Sequence, residues 1–398
     1  MFPMKSNPTV ALLFSGGPAP AANSVISAAA LSFLDHGVEV MGILDGFTYL
    51  QGFSETDPLV EDLHFLRLTP RSISGIRNQR GIFIRSARAN PGKDVKSMAD
   101  LENPDKVAKL RAAIAALQSL GSRALVTLGG DDTLKTANFM NLLGMPTIHI
   151  PKTIDNDYFG IPWTFGYWTA VDTARKALLN LKADADSTNA YFLVELMGRS
   201  AGWMTYAAGL AGEACAIVAA EDLDGDLNPD ELASRFADLI IARDKDGRRA
   251  GLICIAEGLA ERLDEAHKPR EVDAHGNVYY GRAELCRTLA EKTMALYSER
   301  TGRVKKINPK QIGYETRSAE PCAFDVVLGS MLGHGAWRLF SEGRFGHMVS
   351  VDESLNLKTI PFSDLIDPET LKTKVRLVPR EGDLFRLKNA LSYPVPEV

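Results

Sequence analysis

The chain has 398 residues, of which 45% are hydrophobic and 24% charged, a composition typical of a soluble globular protein. This length predicts two domains, each with its own core. The 50 acidic and 45 basic side chains are spread along the chain and give a net charge of -5, which argues against a nucleic-acid-binding surface with clustered lysine and arginine.

Short apolar runs alternate with helical patterns from residue 9 to about residue 260. The predicted strands are residues 9–14, 38–44, 123–130, 145–151, 190–196, 214–220 and 250–258. The predicted helices between them are residues 18–37, 105–121, 169–181, 201–212 and 229–242. Strands that are apolar along their whole length and separated by helices indicate parallel sheets covered on both faces. We therefore predict an α/β fold with parallel sheets sandwiched by helices.

The remaining segments carry weaker signals. Residues 262–282 are polar and rich in turn formers, which predicts an exposed excursion, and residues 352–398 have broken periodicity typical of a wrapped tail. The cysteines lack metal-ligand spacing, so we expect structural thiols in a reducing compartment; they are Cys215, Cys254, Cys286 and Cys322. Neither a signal-peptide pattern nor an apolar stretch approaching ~20 residues is found, so a cytoplasmic location and no membrane partner are expected.

Glycine and polar residues recur at the carboxyl ends of the predicted strands. The segments are SGGPAP, SAR, GGDDT, PKTIDND, MGR and AEG. In open parallel sheets, ligands bind just beyond these strand ends. Their recurrence predicts that the polar strand ends converge on a site.

Two of these segments join a strand to a helix and contain paired glycines. Gly16-Gly17 could present backbone N–H groups to a phosphate, yet the same pattern also forms ordinary turns. Asp131 and Asp132 could bind Mg²⁺, which bridges phosphoryl oxygens, or they could simply cap the following helix. Neither segment fits GxGxxG or GxxxxGK[ST], so a dinucleotide-binding fold and a P-loop kinase are not supported.

The segment from Pro151 to Asp157 is the most distinctive. If it is extended, Asp155 and Asp157 point to the same side, with Lys152 within reach of their surroundings. A carboxylate can accept a proton from an attacking hydroxyl, and a lysine can stabilise phosphoryl charge. The alternative is a salt bridge within a loop.

Further along the chain, Arg199 and Glu257 follow two more strands, and Arg317 lies downstream of both. Arginine suits bidentate phosphate binding and a carboxylate suits sugar hydroxyls, although each residue alone is a weak signal because isolated arginines are mostly surface residues.

Taken in order, these segments resemble the phosphofructokinase family. The matching motifs are SGGPAP, SAR at 86–88, GGDDT, PKTIDND, MGR at 197–199, AEG at 256–258 and GYETR at 313–317. The resemblance implies a fold of two Rossmann-like domains. The implied larger domain, which binds donor and metal, covers residues 1–165 plus about 318–345; the smaller sugar-phosphate domain covers 166–317, and a tail at 346–398 packs across both.

The resemblance also implies roles for single residues. Gly16 and Arg88 would contact the donor phosphates, Asp131 would hold Mg²⁺, and Asp155 would accept the proton of the sugar 1-hydroxyl. The residues implied to bind fructose 6-phosphate are Thr153, Ile154, Asp155, Asp157, Met197, Gly198, Arg199, Glu257, Lys310, Tyr314, Glu315, Thr316 and Arg317.

Asp132 and Lys152 address the phosphoryl donor. Pyrophosphate-using relatives resemble this chain at both positions, whereas ATP-using relatives carry glycine in place of Asp132 and commonly in place of Lys152. In a poorly hydrated site the Asp132 carboxylate would repel the α-phosphate of ATP, and Lys152 could stabilise the leaving phosphate. Pyrophosphate is therefore the expected donor, with an ATP-dependent enzyme as the alternative.

Three positions depart from the family pattern. Ala190 and Asn308 align with two arginines that reach the sugar phosphate from a neighbouring subunit in the tetrameric ATP-using enzymes. Their replacement favours a homodimer with self-contained sites. Ala21 stands where relatives often carry glycine. A non-catalytic regulatory subunit is a further alternative, but such a subunit would be expected to lose the acidic residues present here at Asp131 and Asp155.

Overall fold

The computed structural model describes residues 8–268 and 284–393. The strands in this part of the chain are β1 (Thr9–Phe14), β2 (Glu39–Ile43), β3 (Phe65–Leu68), β4 (Ser122–Gly129), β5 (Thr147–Pro151), β6 (Tyr191–Leu196), β7 (Ala216–Val218), β8 (Gly251–Ala256), β9 (Ile307–Ile312), β10 (His347–Val351) and β11 (Leu357–Pro361). The α-helices are α1 (Ala22–Leu34), α2 (Pro104–Ser119), α3 (Asp131–Leu142), α4 (Tyr167–Thr188), α5 (Trp203–Ala211), α6 (Pro229–Lys245), α7 (Leu285–Thr301), α8 (Tyr314–Arg317), α9 (Ala323–Ser341), α10 (Phe362–Leu365) and α11 (Asp383–Leu391).

The chain forms two compact units. The first unit contains the chain up to Ile154, then Tyr158–Thr169 and Arg317–Val375. The second unit contains Asp155–Asp157, Ala170–Thr316 and the chain from Arg376 onward. The C-terminal segment therefore contributes residues to both units.

The first unit is built on a seven-stranded sheet in the order β11-β10-β5-β4-β1-β2-β3. Its five inner strands run parallel, whereas the edge strands β11 and β3 are antiparallel to their neighbours. All six residues of β1 are buried, as the apolar run predicts for a central parallel strand. The α/β prediction is confirmed, and the larger sheet is mixed because of these two edges.

The second unit is built on a four-stranded parallel sheet in the order β7-β8-β6-β9. Helix α6 begins after Asn228, whose side chain accepts hydrogen bonds from the next backbone N–H groups, and Pro229 opens the helix without losing a needed donor. Strand β9 was not predicted, since it is an edge strand and residues 309–311 are exposed, which breaks the apolar run.

Several other expectations can be compared with the described residues. The thiols of Cys215, Cys254 and Cys286 are buried and that of Cys322 is half-buried, and burial raises the pKa of Cys215 to about 11. Most of the excursion predicted at 262–282 lies outside the described residues. Residues 347–361, assigned to the tail in the sequence analysis, form β10 and β11 of the first sheet. Within the described ranges, no helix combines the length and apolar character needed to cross a bilayer.

Candidate active site

In the first unit, the sheet order brings three of the predicted segments together. Strands β5, β4 and β1 are neighbours, and their carboxyl ends lead into residues 152–154, 130–132 and 15–17. Because parallel strands end at the same edge of a sheet, these segments lie side by side. We call them the donor segments, after the role that the family resemblance implies for them.

The glycine loop after β1 is tied to the predicted SAR segment. Gly16, at a φ of 90°, donates its N–H to the carbonyl oxygen of Ala87 at 3.0 Å, and Ser86 Oγ donates to the Gly16 carbonyl at 2.6 Å. Residues 15–16 and Ala87 are therefore paired like parallel strands, and the Gly16 N–H is used in this pairing. The expectation that the Gly16 N–H faces an anion is wrong.

Helix α1 begins at Ala22, later than the sequence indicated. The preceding Ala21 has a φ of 64°, a left-handed conformation that side chains disfavour and glycine adopts readily. Glycine would adopt this conformation without the steric cost that alanine bears here.

Positive charge surrounds the glycine loop. A methyl group built on Gly16 would lie 3.7 Å from Nζ of Lys152, and one built on Gly17 would lie 3.2 Å from Nη1 of Arg317. Arg88 is exposed, and no ion pair to it is found among the described residues. Two cations close to a glycine loop within a mildly acidic protein form a local site suited to anionic groups.

Asp131 opens α3 and is the candidate metal ligand. Burial raises the pKa of its carboxyl group, a hydrogen bond from the Thr373 hydroxyl lowers it, and the neighbouring charge of Asp132 raises it further. A partly dehydrated carboxylate gains from a nearby cation. In the described part of the chain, no cluster of three or more His, Cys, Asp or Glu forms a metal cage. A single half-buried carboxylate such as Asp131 suits the common arrangement in which Mg²⁺ is held by one or two carboxylates and completed by water and substrate phosphates.

Asp132 is exposed to solvent, whereas the sequence analysis expected it in a poorly hydrated site. Its side chain is 75% exposed, and Oδ1 lies 2.8 Å from Nζ of Lys135. The poorly hydrated environment expected for it is not observed, because position 132 faces outward on the first turn of α3, where a residue three positions later is a neighbour. Lys135 was missed in the sequence analysis, although its spacing from Asp132 was a usable signal.

The segment after β5 is bent, not extended. Lys152 N donates to the Gly129 carbonyl at 2.9 Å, and Thr153 is half-buried whereas Ile154 is buried. Asn156 is fully buried with a φ of 55°. The prediction that Asp155 and Asp157 share one side of an extended segment is therefore wrong in its premise, since a left-handed residue between them interrupts the alternation. Asp155 and Asp157 are both half-buried and belong to the second unit.

In the second unit, strands β8, β6 and β9 are neighbours. Their carboxyl ends lead into Glu257, Met197 and Gly313, so residues 197–199, 257–258 and 313–316 lie side by side. We call these the acceptor segments. Lys310 also belongs to β9. It is exposed and lies three residues before Gly313.

Arg199 lies among carboxylates. Its Nε and Nη2 both donate to Oε1 of Glu261 at 3.2 Å. Burial lowers the pKa of the Arg199 guanidinium, and Glu261, Glu257 and Asp155 together raise it by more, so the net shift is upward. The structure thus brings Arg199, Glu257 and Asp155 together as candidates. Glu261 was missed because a single glutamate beyond a motif carries no signal of its own.

The short helix α8 uses two candidate side chains for its own turn. Glu315 Oε2 accepts from Gly313 N at 3.0 Å, and Thr316 Oγ1 donates to Gly313 O at 2.6 Å. Tyr314 is 76% exposed. Arg317 belongs to the first unit, whereas residues 314–316 belong to the second.

Gly258 allows the AEG and MGR segments to pack together. Its N–H donates to the Gly198 carbonyl at 2.9 Å, and an added methyl group would lie 1.8 Å from the carbonyl oxygen of Arg199. Gly258→Ala should therefore lower the free energy of unfolding by about 1–3 kcal/mol, because the loop at 197–199 must move. Chemical denaturation measures this change.

The matched control is Gly225→Ala in the same unit, where an added methyl group meets open space. This control should remain within about 0.5 kcal/mol of wild type. Equal stability of the two variants would contradict the close packing at Gly258.

A family model described as Phosphofructokinase matches residues 9–340. The pyrophosphate–fructose 6-phosphate 1-phosphotransferase of Thermotoga maritima is 34% identical, over 94% of this chain and 88% of that protein. The protein of the same name from Naegleria fowleri is 33% identical, over 96% and 87%. ATP-dependent 6-phosphofructokinase 3 of Streptomyces coelicolor is 31% identical, over 92% and 96%.

Solved structures agree at the level of the fold. A pyrophosphate-dependent phosphofructokinase from Marinobacter aquaeolei matches with a TM-score of 0.69 at 15% identity, covering 98% of this chain and 92% of that one. Phosphofructokinase from Saccharomyces cerevisiae matches with a TM-score of 0.66 at 20% identity, covering 90% of this chain but only 45% of that one.

Proposed function

The chain belongs to the phosphofructokinase family, and we propose that it catalyses reversible, Mg²⁺-dependent phosphoryl transfer from inorganic pyrophosphate to the 1-hydroxyl of fructose 6-phosphate. The products are fructose 1,6-bisphosphate and phosphate, which places the reaction in glycolysis and gluconeogenesis. Reversibility is expected because the pyrophosphate bond and the sugar ester are closer in energy than ATP and the ester.

The observation that carries the donor assignment is the arrangement of charge in the donor segments. Asp132 adds a second carboxylate beside Asp131, and the Lys152 ammonium lies against the Gly16 loop. The carboxylate disfavours a third phosphate, and the lysine can stabilise the departing phosphate, which lacks the contacts that a nucleotide would supply. The two relatives of highest printed identity carry pyrophosphate in their names, which agrees with this assignment.

Donor binding falls to residues of the first unit. Lys152 and Arg88 hold and neutralise phosphate oxygens beside the Gly16 loop. Asp131 would hold Mg²⁺, which when bound supplies charge neutralisation for the phosphates.

Acceptor binding and proton transfer fall mainly to residues of the second unit. Asp155 accepts the proton of the 1-hydroxyl as its oxygen attacks the phosphorus atom in line with the leaving phosphate. Met197, Gly198, Arg199 and Glu257 hold the sugar, and Asp157 supports the same group. The 6-phosphate binds Tyr314 and Arg317, with Lys310 as a further cation; Thr153, Ile154, Glu315 and Thr316 shape the segments that carry these groups.

A second candidate is an ATP-dependent phosphofructokinase. The pairing of Asp132 with Lys135 favours it, because a neutralised and exposed carboxylate repels an extra phosphate less strongly. Relatives named ATP-dependent are 31% identical. We also propose a homodimer, because Ala190 and Asn308 stand where the family resemblance implies inter-subunit arginines in the tetrameric ATP-using enzymes. A cytoplasmic location is proposed with it.

The deciding experiment supplies purified protein with fructose 6-phosphate and Mg²⁺, and compares pyrophosphate with ATP at equal concentrations. We expect fructose 1,6-bisphosphate to form at least about tenfold faster with pyrophosphate, a difference of 1.4 kcal/mol. Adding phosphate to fructose 1,6-bisphosphate should regenerate pyrophosphate. Faster turnover with ATP would favour the second candidate, and turnover with neither donor would reject both.

A further inference from the structure

The C-terminal segment of the second unit contacts the segment that carries the candidate base. We call residues 376–380 the C-terminal strap. Arg376 N donates to the carbonyl oxygen of Asp157 at 2.7 Å, and Arg376 Nη2 donates to the carbonyl oxygen of Asn156, also at 2.7 Å. One residue thus fixes two successive peptide groups from a distance of more than 200 residues along the chain.

These peptide groups adopt an unusual conformation. Asn156 is fully buried, and its φ of 55° lies in the left-handed region, which asparagine tolerates better than most residues but which still requires support from its surroundings. A change at this residue rotates the flanking peptide groups and redirects the side chains of Asp155 and Asp157. The hydrogen bonds from Arg376 lock the orientation of the carbonyl groups on the side of Asp157.

The strap is itself anchored near the MGR segment. The Arg376 guanidinium lies 4.2 Å from the centroid of the Trp203 ring, and Trp203 Nε1 donates to the Arg376 carbonyl at 2.8 Å. Two residues later, Val378 N donates to Oε1 of the buried Glu221 at 3.0 Å, and Glu221 also accepts from Gly202 N at 2.9 Å. The strap therefore connects the base segment to the start of α5, directly after residues 197–199.

We propose that Arg376 is a positioning residue that holds the Asn156 and Asp157 peptide groups, and through them the candidate base, in the geometry needed for proton transfer. The expected effect on kcat rests on the proposed function. The expected effect on the conformation of residues 155–157 rests on the contacts alone. Arg376 acts on the backbone and through Trp203, so it need not contact the substrate.

The test is Arg376→Met, which keeps the aliphatic contact with Trp203 and removes the guanidinium donor. We expect kcat to fall about ten- to hundredfold, since a displacement of about 1 Å at the reacting groups can cost about 10²-fold. KM for fructose 6-phosphate should change less than about threefold, as expected when a change acts on the transition state. Arg376→Lys, which keeps a charge and a donor, should recover at least part of the lost kcat.

The matched control is Arg380→Met in the same strap. Arg380 is also an arginine that donates to a carbonyl group, that of Leu223 at 2.6 Å, and it pairs with Asp224, but it has no contact with residues 155–157 among its hydrogen bonds and ion pairs. This variant should keep the kcat and KM of wild type.

Hydrogen–deuterium exchange gives a readout that does not depend on activity. Peptides covering residues 154–159 and 374–379 should exchange faster in Arg376→Met than in wild type, and Arg380→Met should leave the first of them unchanged. Unchanged exchange at 154–159 in Arg376→Met would overturn the inference whatever the enzyme activity. Absence of turnover in wild type with either donor would instead reject the proposed function, and faster exchange alone would then support the positioning of the segment.

Discussion

Asp155→Ser is expected to lower kcat by about 10²- to 10⁴-fold, the range for losing a positioned general base. The half-buried carboxylate lies beside the left-handed Asn156, within the electrostatic reach of Arg199. Serine cannot accept the proton of the sugar hydroxyl at neutral pH, whereas the residues proposed to hold the sugar are unchanged. Steady-state kinetics with a saturating phosphoryl donor measure the effect, and calorimetric titration with fructose 6-phosphate measures binding.

Binding should therefore survive in this variant, with the dissociation constant within roughly threefold to tenfold of wild type, as for an interaction made chiefly in the transition state. Asp184→Ser is the control, since Asp184 is exposed on α4 and its replacement should leave kcat unaltered. Near-normal turnover of Asp155→Ser would remove Asp155 from the role of base.

The inner strands of the fold could be predicted from the sequence because burial on both faces makes them apolar throughout. β1, β4 and β8 are examples, with nearly every residue buried. Strands β9 and β11 could not be predicted in this way, since edge strands are half exposed and their sequences are mixed. Their place in the sheets depends on pairing partners far away along the chain.

The candidate site shows the same division. The strand-end segments follow from the alternation of strands and helices, whereas the strand order that makes them neighbours in each sheet does not. The sequence did not predict the pairing of Asp132 with Lys135, the left-handed Asn156 or the Gly16 N–H bond to Ala87. The conformation of Asn156 and the Gly16 bond depend on the backbone and on contacts between distant segments, so local residue patterns carry no signal for them. The three-residue spacing of Asp132 and Lys135 on a helix, by contrast, is a local signal.

Asp132→Gly is expected to raise kcat/KM for ATP by about twofold to fivefold, equivalent to roughly 0.4–1 kcal/mol of transition-state stabilisation, the range for an exposed charge pair. In wild type the Asp132 carboxylate neutralises Lys135 across 2.8 Å. Removing that carboxylate eliminates a negative charge from the first turn of α3 and leaves the Lys135 ammonium able to attract a third phosphate. Because the side chain is exposed, solvent screening keeps the expected gain well below that of a buried pair. The ratio of kcat/KM for ATP and pyrophosphate is the measured quantity.

Two further variants separate charge from helix propensity. Glycine in the first turn of α3 also destabilises the helix, so Asp132→Gly changes both the charge and the helix stability. Asp132→Asn removes the charge and keeps the side-chain volume. It should therefore also raise the ratio of kcat/KM for ATP to that for pyrophosphate. Lys135→Met has the opposite effect on local charge, since it leaves the carboxylate of Asp132 without its ion-pair partner, and it should lower the use of ATP further. If neither Asp132→Gly nor Asp132→Asn changes the donor ratio, the charge at this position does not select the donor. Exclusion of ATP would then have to come from the shape of the donor segments.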